Sequence, residues 1–467
     1  MHIHLKKIRN KEVDELASMA EIYNTHSPFL SLEYFSVLAE VPEQHGEFIC
    51  IGEHAVIYLG HSSAVKRLPF FQQSFVNQTG LRCYDQLWVE YNGWLGSPAS
   101  DDSIAETVLK YAFDKGDVKL SVSMTTDADL WTRAAKTLGA SISTSQTIGY
   151  TKSLEGLETF ENTIATLSQN TRAKIRKSIR LLGSVQEDVS LSVASSSEQI
   201  LEYFNGLKRN HIEKWQNTVE GSGFQNSFFD SNLLRLLTHY PNFMKILKVQ
   251  CGDNTLGYAI YMLKNESAYF YCSGINASLS EGKVKPGYIL HCKAMAYFAE
   301  KGFKLYDFMG GDAQYKRSLS DNSVIFHSIE VISPNLKGKL FSMIKKVKDL
   351  LSFRMQSTQD LRRVPTYYNP RRHIINNYRT CCYHTSFANI GHNQCTVAQP
   401  TVLSYRDFGE NAALIFYRLF WVRKIVLSFA THNVHTASQQ SIFPNSAFTN
   451  VTLRAYVHPL VNLSILL

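Results

Sequence analysis

Residues 286–320 read PGYILHCKAMAYFAEKGFKLYDFMGGDAQYKRSLS. A proline opens the stretch, and apolar residues dominate it until Gly302, the pattern of a helix with Pro in its first turn and Gly as its stop. Phe303 to Met309 then alternates as a strand, with Phe303, Leu305, Asp307 and Met309 on one face. An acid between apolar neighbours is costly to bury unless it is bonded or used. The strand ends at Gly310 and Gly311, and Asp312, Tyr315, Lys316 and Arg317 crowd the residues that follow.

Upstream, MKILKVQC (244–251), LGYAIYML (256–263) and AYFYCSGIN (268–276) are separated by short polar turns and read as three antiparallel strands in a meander. Before them, NTRAKIRKSIRLLG (170–183) is a helix carrying Ile175, Ile179 and Leu182 on one stripe. SSEQILEYFNGLKRNHIEKW (196–215) is a second helix, with Ser197 as its N-cap. Residues 1–155 follow a looser version of the same order. EFICIGEHAVIYLG (47–60) reads as a hairpin and YDQLWVEYNGWL (84–95) as a strand ending in a turn. IAETVLKYAFDKG (104–116) is a helix, KLSVSM (119–124) a strand, ADLWTRAAKTLGA (128–140) a helix and SQTIGYTKSL (145–154) a closing strand.

The 467 residues suffice for two or three cores. The formal charge of +8 is uneven: from Thr358 onward there are ten Lys and Arg against three acids, leaving 38 and 37 in the first 357 residues. A nearly neutral body argues against DNA or general nucleic-acid binding, which needs a basic face. The start, MHIHLKKIRNKEVDE, has cations but no apolar core of a signal peptide. Cys251, Cys272 and Cys292 fall inside expected strands or a helix. Together these features point to a cytoplasmic protein with reduced thiols.

Beyond residue 356 the composition changes, with one lysine, three acids and no sustained period. The apolar run 412–430 is interrupted by Arg418, Arg423 and Lys424, so no integral membrane span is expected. Cys381, Cys382, His384, His392 and Cys395 fit no standard zinc spacing, and no metal is expected. The expected organisation is 1–155, 156–352 and a loosely structured extension, 353–467.

Three antiparallel strands, a helix opening with basic residues, Pro and Gly, and one further strand resemble the core of GNAT-type acyltransferases. The details resemble one branch more closely. The P-G-x-x-L helix start, the D-F-x-x-G-x-x-x-Y-K strand end, SQNTRAKIRKSIRLLGSV (168–185) and LKRNHIEKW (207–215) are similar to an acetyltransferase-like family found with polysaccharide biosynthesis, the CelD/BcsL type. That family is related to the Fem-type aminoacyltransferases, which contain two GNAT-like halves. The resemblance covers about 160–320 well, 1–155 loosely and the extension not at all.

The implied fold is α/β (α+β): two GNAT-like halves, each a mixed, largely antiparallel sheet flanked by helices. The implied activity is transfer of an acyl group, acetyl above all, from acetyl-CoA or another acyl-CoA to an amine of a small metabolite or sugar nucleotide. Free N–H groups at a helix start favour an anion. Lys283, Lys285, Gly287, Tyr288 and Ile289, with Ser273 on the preceding strand, are therefore the expected cofactor contacts. The resemblance implies that Lys316 offsets charge at the reacting carbonyl or a substrate phosphate. Tyr315 either protonates a leaving thiolate or packs. Asp307 serves as a base or as a structural hydrogen-bond partner.

Glu90, Tyr91 and Asn92 are expected to hold the acceptor, with Asp312 at the cleft mouth. Arg172 and Arg176 form either an anion clamp or a solvated face. His211 and Trp215 share a helical face, as a functional pair or as a histidine packed on an indole. No Walker loop, HExxH or GxSxG is present, so kinase, metalloprotease and serine-hydrolase readings lack support. The alternatives are an inactive binding module of this fold in a polysaccharide-synthesis assembly, and aminoacyl transfer from tRNA.

Overall fold

The computed structural model describes residues 5–8, 27–52, 55–65, 70–96, 102–218, 221–282 and 284–347. Lys283, the Cys/His cluster at 381–395, the apolar run 412–430 and the whole proposed extension lie outside these residues.

The strands are β1 (Leu5–Ile8), β2 (Gly46–Ile51), β3 (Ala55–Ser63), β4 (Gln72–Val76), β5 (Leu95–Gly96), β6 (Lys119–Thr125), β7 (Ser141–Ser153), β8 (Val189–Val193), β9 (Met244–Cys251), β10 (Asn254–Lys264), β11 (Ser267–Ile275), β12 (Leu305–Gly310) and β13 (Asn322–Ile332). The helices are α1 (Leu32–Leu38), α2 (Asp102–Asp114), α3 (Ala128–Thr137), α4 (Phe160–Ala165), α5 (Gln169–Leu181), α6 (Ser197–Trp215), α7 (Ser227–His239), α8 (Pro286–Glu300) and α9 (Gln314–Leu319). Ser31, Thr159, Ser168, Ser196 and Asn226 cap their helices by accepting main-chain N–H bonds. The cap of α6 is thus Ser196, one residue before the expected Ser197.

All the strands among the described residues join one mixed sheet in the order β1-β2-β3-β4-β6-β13-β7-β12-β11-β10-β9-β8, with β5 on β3 alone. The sheet holds the same motif twice. In the first set, antiparallel β2, β3 and β4 are followed by β6, which is parallel to β4 from Gln73↔Lys119 to Phe75↔Ser121. In the second, antiparallel β9, β10 and β11 are followed by β12, parallel to β11 from Ser267↔Leu305 to Tyr269↔Asp307. Both parallel pairs run three residues and then part. This is a GNAT-like architecture, a large open mixed sheet flanked by helices.

The final strand of each set crosses over. β7 follows the first set in sequence but pairs with β12, whereas β13 follows the second and pairs with β6. β7 and β13 pair with each other along their length, from Asn322↔Thr151 to Ile332↔Ser141. The described residues, 5–347, accordingly form one compact unit. The cores agree with this. One cluster joins Tyr34, Phe35, Leu87 and Val89 to Phe204, Leu207, Tyr271 and Met309. A second lies around α8, with Ile175, Ile179, Leu290, Phe298 and Tyr306. A third packs α2 and α3 on β3 and β6 and includes Ile329 and Val331 of β13.

One expected strand is absent. Residues 84–94 form turns and bends, and only Leu95 and Gly96 pair, with β3. Leu87, Val89 and Trp94 are buried because this segment threads between cores, so its alternation marks burial of a loop. The sequence reading also missed β1, β4, β8 and β13 and the helices α1, α4, α7 and α9. Among the described residues no helix is long and apolar enough to cross a membrane. No group of three or more His, Cys, Asp or Glu among them is placed to hold a metal ion.

Candidate active site

Where β11 and β12 part, both strands carry an irregularity. On β11, Ile260 faces Cys272 and Tyr261 faces Phe270, so Tyr271 is an extra residue. On β12, the register against β7 slips between Asp307 and Gly310. Met309 occupies that slip with φ +61°, a left-handed conformation that costs a bulky residue about 1–3 kcal/mol. Two side chains hold it there. Asp307 Oδ1 accepts from Met309 N at 2.6 Å, and Lys316 Nζ donates to Met309 O at 3.2 Å and to Gly310 O at 2.5 Å.

Gly310 is where the two strand sets meet. Its N–H donates to Glu90 Oε2 at 2.6 Å. A Cβ added there would lie 2.4 Å from Met124 Cε and 3.2 Å from Glu90 Oε1, so any larger residue must displace these two side chains. Glu90 comes from the loop at 84–94, which is pinned by its neighbours. Asn92 Nδ2 donates to Val76 O at 3.0 Å, Asn92 N donates to Met124 O at 3.1 Å, and Asn92 Oδ1 accepts from Asn77 Nδ2 at 2.9 Å. Asn92 thereby bridges the ends of β4 and β6 and fills the first parting with the chain's own atoms. Its amide is spent on this clamp.

Tyr91, at φ +49°, turns the other way and donates from its hydroxyl to Asp307 Oδ2. Its ring meets Tyr269 and Phe326 edge-on, with centroids 5.9 and 4.7 Å apart. One short loop therefore seals the first parting with Asn92 and delivers Glu90 and Tyr91 to the second.

Glu90, Asp307 and Lys316 are all buried. Burial, reinforced by Asp307, pushes Glu90 up to about 7, against the pull of the Gly310 N–H and Lys316. Burial likewise raises Asp307 to about 6, opposed by its bonds from Tyr91 and Met309 and by Lys316. Burial lowers Lys316, and the two carboxyls oppose that. Both carboxyls are thus held above the usual carboxylate range, Glu90 the higher of the two.

Both carboxyls titrate higher in the folded chain than in the unfolded one, starting from 4.5 and 3.8. Folding then takes up protons, and their contribution to stability, full below about pH 4, is lost as pH rises toward 7. Glu90→Gln removes one of these titrations. In urea titrations its stability relative to the unsubstituted protein rises from pH 4.5 to 7. A pH-independent difference would show that Glu90 is unperturbed.

On the far side of the parting, α8 begins with Pro286, and Lys285 N is held by Ser178 Oγ of α5 at 3.0 Å. Gly287 lies in the first turn with 3.9 Å between an added Cβ and Ile275. Tyr288 is half-buried beside it and Ser273 is half-buried on β11, whereas the Ile289 side chain is core. Tyr315 stacks on His291 of α8, with centroids 5.1 Å apart and planes 12° apart. His291 in turn bonds Tyr306 at 2.7 Å, and burial lowers it to about 3. The Tyr315 hydroxyl is kept protonated by burial.

Other expected site residues have local partners. Arg172 donates to Ala165 O at 2.8 Å, and Arg176 pairs with Glu161 at 2.7 Å, both on the surface. That is a solvated, locally braced face. Asp312 is bonded by Tyr150 at 2.7 Å and by Arg317. His211 bonds Ser222 Oγ at 2.9 Å, stacks on Trp215, and is lowered to about 4 by burial. The Lys316 ammonium grips two main-chain carbonyls. Sequence reasoning missed the left-handed Met309, His291, Tyr271 and Trp88. Only the Gly-Gly after Met309 hinted at unusual backbone there.

Residues 169–317 match the family model described as acetyltransferase (GNAT) domain. No curated protein sequence matches the chain. Similar solved structures include FemX, at 10% identity and TM-score 0.45, covering 69% of this chain and 96% of that one. The C-terminal domain of a putative lysylphosphatidylglycerol synthetase from Agrobacterium fabrum aligns at 8% identity and TM-score 0.45, covering 73% and 96%. A tandem GNAT protein from the clavulanic acid biosynthesis pathway aligns at 10% identity and TM-score 0.39, covering 72% and 100%.

Proposed function

We propose that the chain is an N-acyltransferase that moves an acyl group, acetyl above all, from an acyl-CoA thioester to an amine. The thioester lies in the parting of β11 and β12. The observation that carries this reading is the Glu90 carboxyl, poised at about 7 against the Gly310 N–H at that parting. A general base works best with a pKa near the operating pH.

The free edge of β11 beyond Tyr269 offers main-chain groups to an extended chain such as pantetheine. The first-turn amides of α8 receive the pyrophosphate, with Gly287 allowing close approach and Lys285 alongside. Ser273 and Tyr288 line the path. As the amine nitrogen attacks the thioester carbonyl, Glu90 takes its proton. The C–N bond forms, the C–S bond breaks, and the thiolate takes a proton from Tyr315. Asp307 and Lys316 act by holding Met309 and Gly310, so the bent backbone keeps one shape throughout. An amine on a sugar nucleotide, as used in polysaccharide or cell-envelope synthesis, is the acceptor class that the sequence resemblance implies.

Calorimetry with CoA tests the donor half. Because Asn92 fills the first parting, one CoA binds per chain; two equivalent sites would contradict the assignment. Gly287→Val has room to fold and weakens CoA by about 10-fold or more, equivalent to 1.4 kcal/mol, by blocking the approach to the helix start. Unchanged affinity in this variant would place the pyrophosphate elsewhere. Release of free thiol from acetyl-CoA across a panel of amines tests the reaction itself.

A further inference from the structure

The Tyr271 hydroxyl is buried and has no hydrogen-bond partner. A desolvated hydroxyl without a partner is uncommon because it forfeits its bonds to water. Phenylalanine would fill the same volume without that loss, so packing alone does not account for tyrosine here.

Two features tie this ring to the elements that build the site. The bulge in β11 puts the side chains of Tyr271 and Cys272 in the same core as Met309, the residue before the Glu90-bound Gly310. Trp88, two residues before Glu90 in the same loop, lies flat on the Tyr271 ring, with centroids 4.5 Å apart and planes 11° apart. The loop that supplies the base therefore also fixes this ring. Burial first, then Tyr34, Cys272 and Glu90 nearby, keep the proton on the hydroxyl, which makes it a donor.

We propose that Tyr271 recognises the acceptor, donating its hydroxyl hydrogen to a hydroxyl, ether or carbonyl oxygen that the substrate carries close to its reacting amine. This rests on the acyltransferase reading and narrows it: the acceptor is an oxygen-bearing amine, such as an amino sugar or amino alcohol, and not a simple alkylamine. Tyr271 sets specificity, and Glu90 does the proton transfer.

The test compares Tyr271→Phe with the unsubstituted protein, using acetyl-CoA with glucosamine and with cyclohexylamine as probes. One neutral hydrogen bond is worth about 0.5–1.5 kcal/mol, so KM for glucosamine rises roughly 2- to 13-fold. KM for cyclohexylamine and the Kd of CoA stay unchanged. Equal effects on both amines, or unchanged kinetics with a raised Tm, would mean that the hydroxyl is only an unmet core group. A high-resolution crystal structure decides independently of turnover. An ordered water on Tyr271 Oη that glucosamine displaces supports the proposal, and a dry, close-packed Oη overturns it. Failure of the chain to bind CoA would sink the acyltransferase reading, whereas a dry Oη beside bound CoA would sink this inference alone.

Discussion

Glu90→Gln lowers turnover by roughly 10²- to 10⁴-fold, the range associated with a positioned general base, while the fold and CoA binding persist. The amide oxygen still accepts from Gly310 N, so the contact between the strand sets is kept. What is lost is the lone pair that takes a proton from the attacking nitrogen. In the unsubstituted protein kcat/KM rises with pH through about 7, as Glu90 loses its proton. The Gln variant lacks that limb. Thiol-release assays across the neutral range with an acylated amine check both points. Full turnover with an unchanged pH profile would remove Glu90 from the mechanism and leave its carboxyl a structural link.

Separating residues 1–155 from 156–352 abolishes folding of each piece, and co-expression restores a complex. Without β13, the fragment 1–155 leaves β6 and β7 without the strand between them. Without β7, the fragment 156–352 leaves β12 and β13 with bare edges. Unpaired edges of this kind drive aggregation. The separated piece also loses the shared core around Tyr34, Leu87 and Phe204. A domain holds only about 5–15 kcal/mol in reserve, less than such a loss. Circular dichroism and size-exclusion chromatography of the fragments, alone and co-expressed, measure this. A monomeric, cooperatively folded 156–352 that binds CoA would show that the strand exchange is dispensable. The second GNAT-like set would then be an independent domain.

The local course of the second strand set was legible because its signals are local. Apolar runs broken by polar turns at 244–276, Pro286 and Gly302 around α8, and the alternation of 303–309 mark element type and limits without reference to the rest of the chain. Asp307 stood out for the same reason, as an acid on an apolar strand face. The loop at 84–95 misled because alternation reports burial, and a loop threaded between two cores is buried like a strand. Lys316 was visible as a cation after Gly-Gly, but nothing in its sequence position says that its ammonium is spent on Met309 O and Gly310 O.

The sequence alone therefore determined which segments become the GNAT-like strands and helix, and which acid the last strand buries. Periodicity and caps act over a few residues, and those decisions lie within that range. Tertiary structure decided which strand lies beside which, since main-chain hydrogen bonds are the same for every partner and only packing selects among them. That choice carried β7 to β12 and β13 to β6, and it brought the 84–94 loop to Gly310. Tyr91 thus meets Asp307 across 216 residues. The site exists only there, because neither Glu90 nor Asp307 has its proton affinity set until the other strand set buries it.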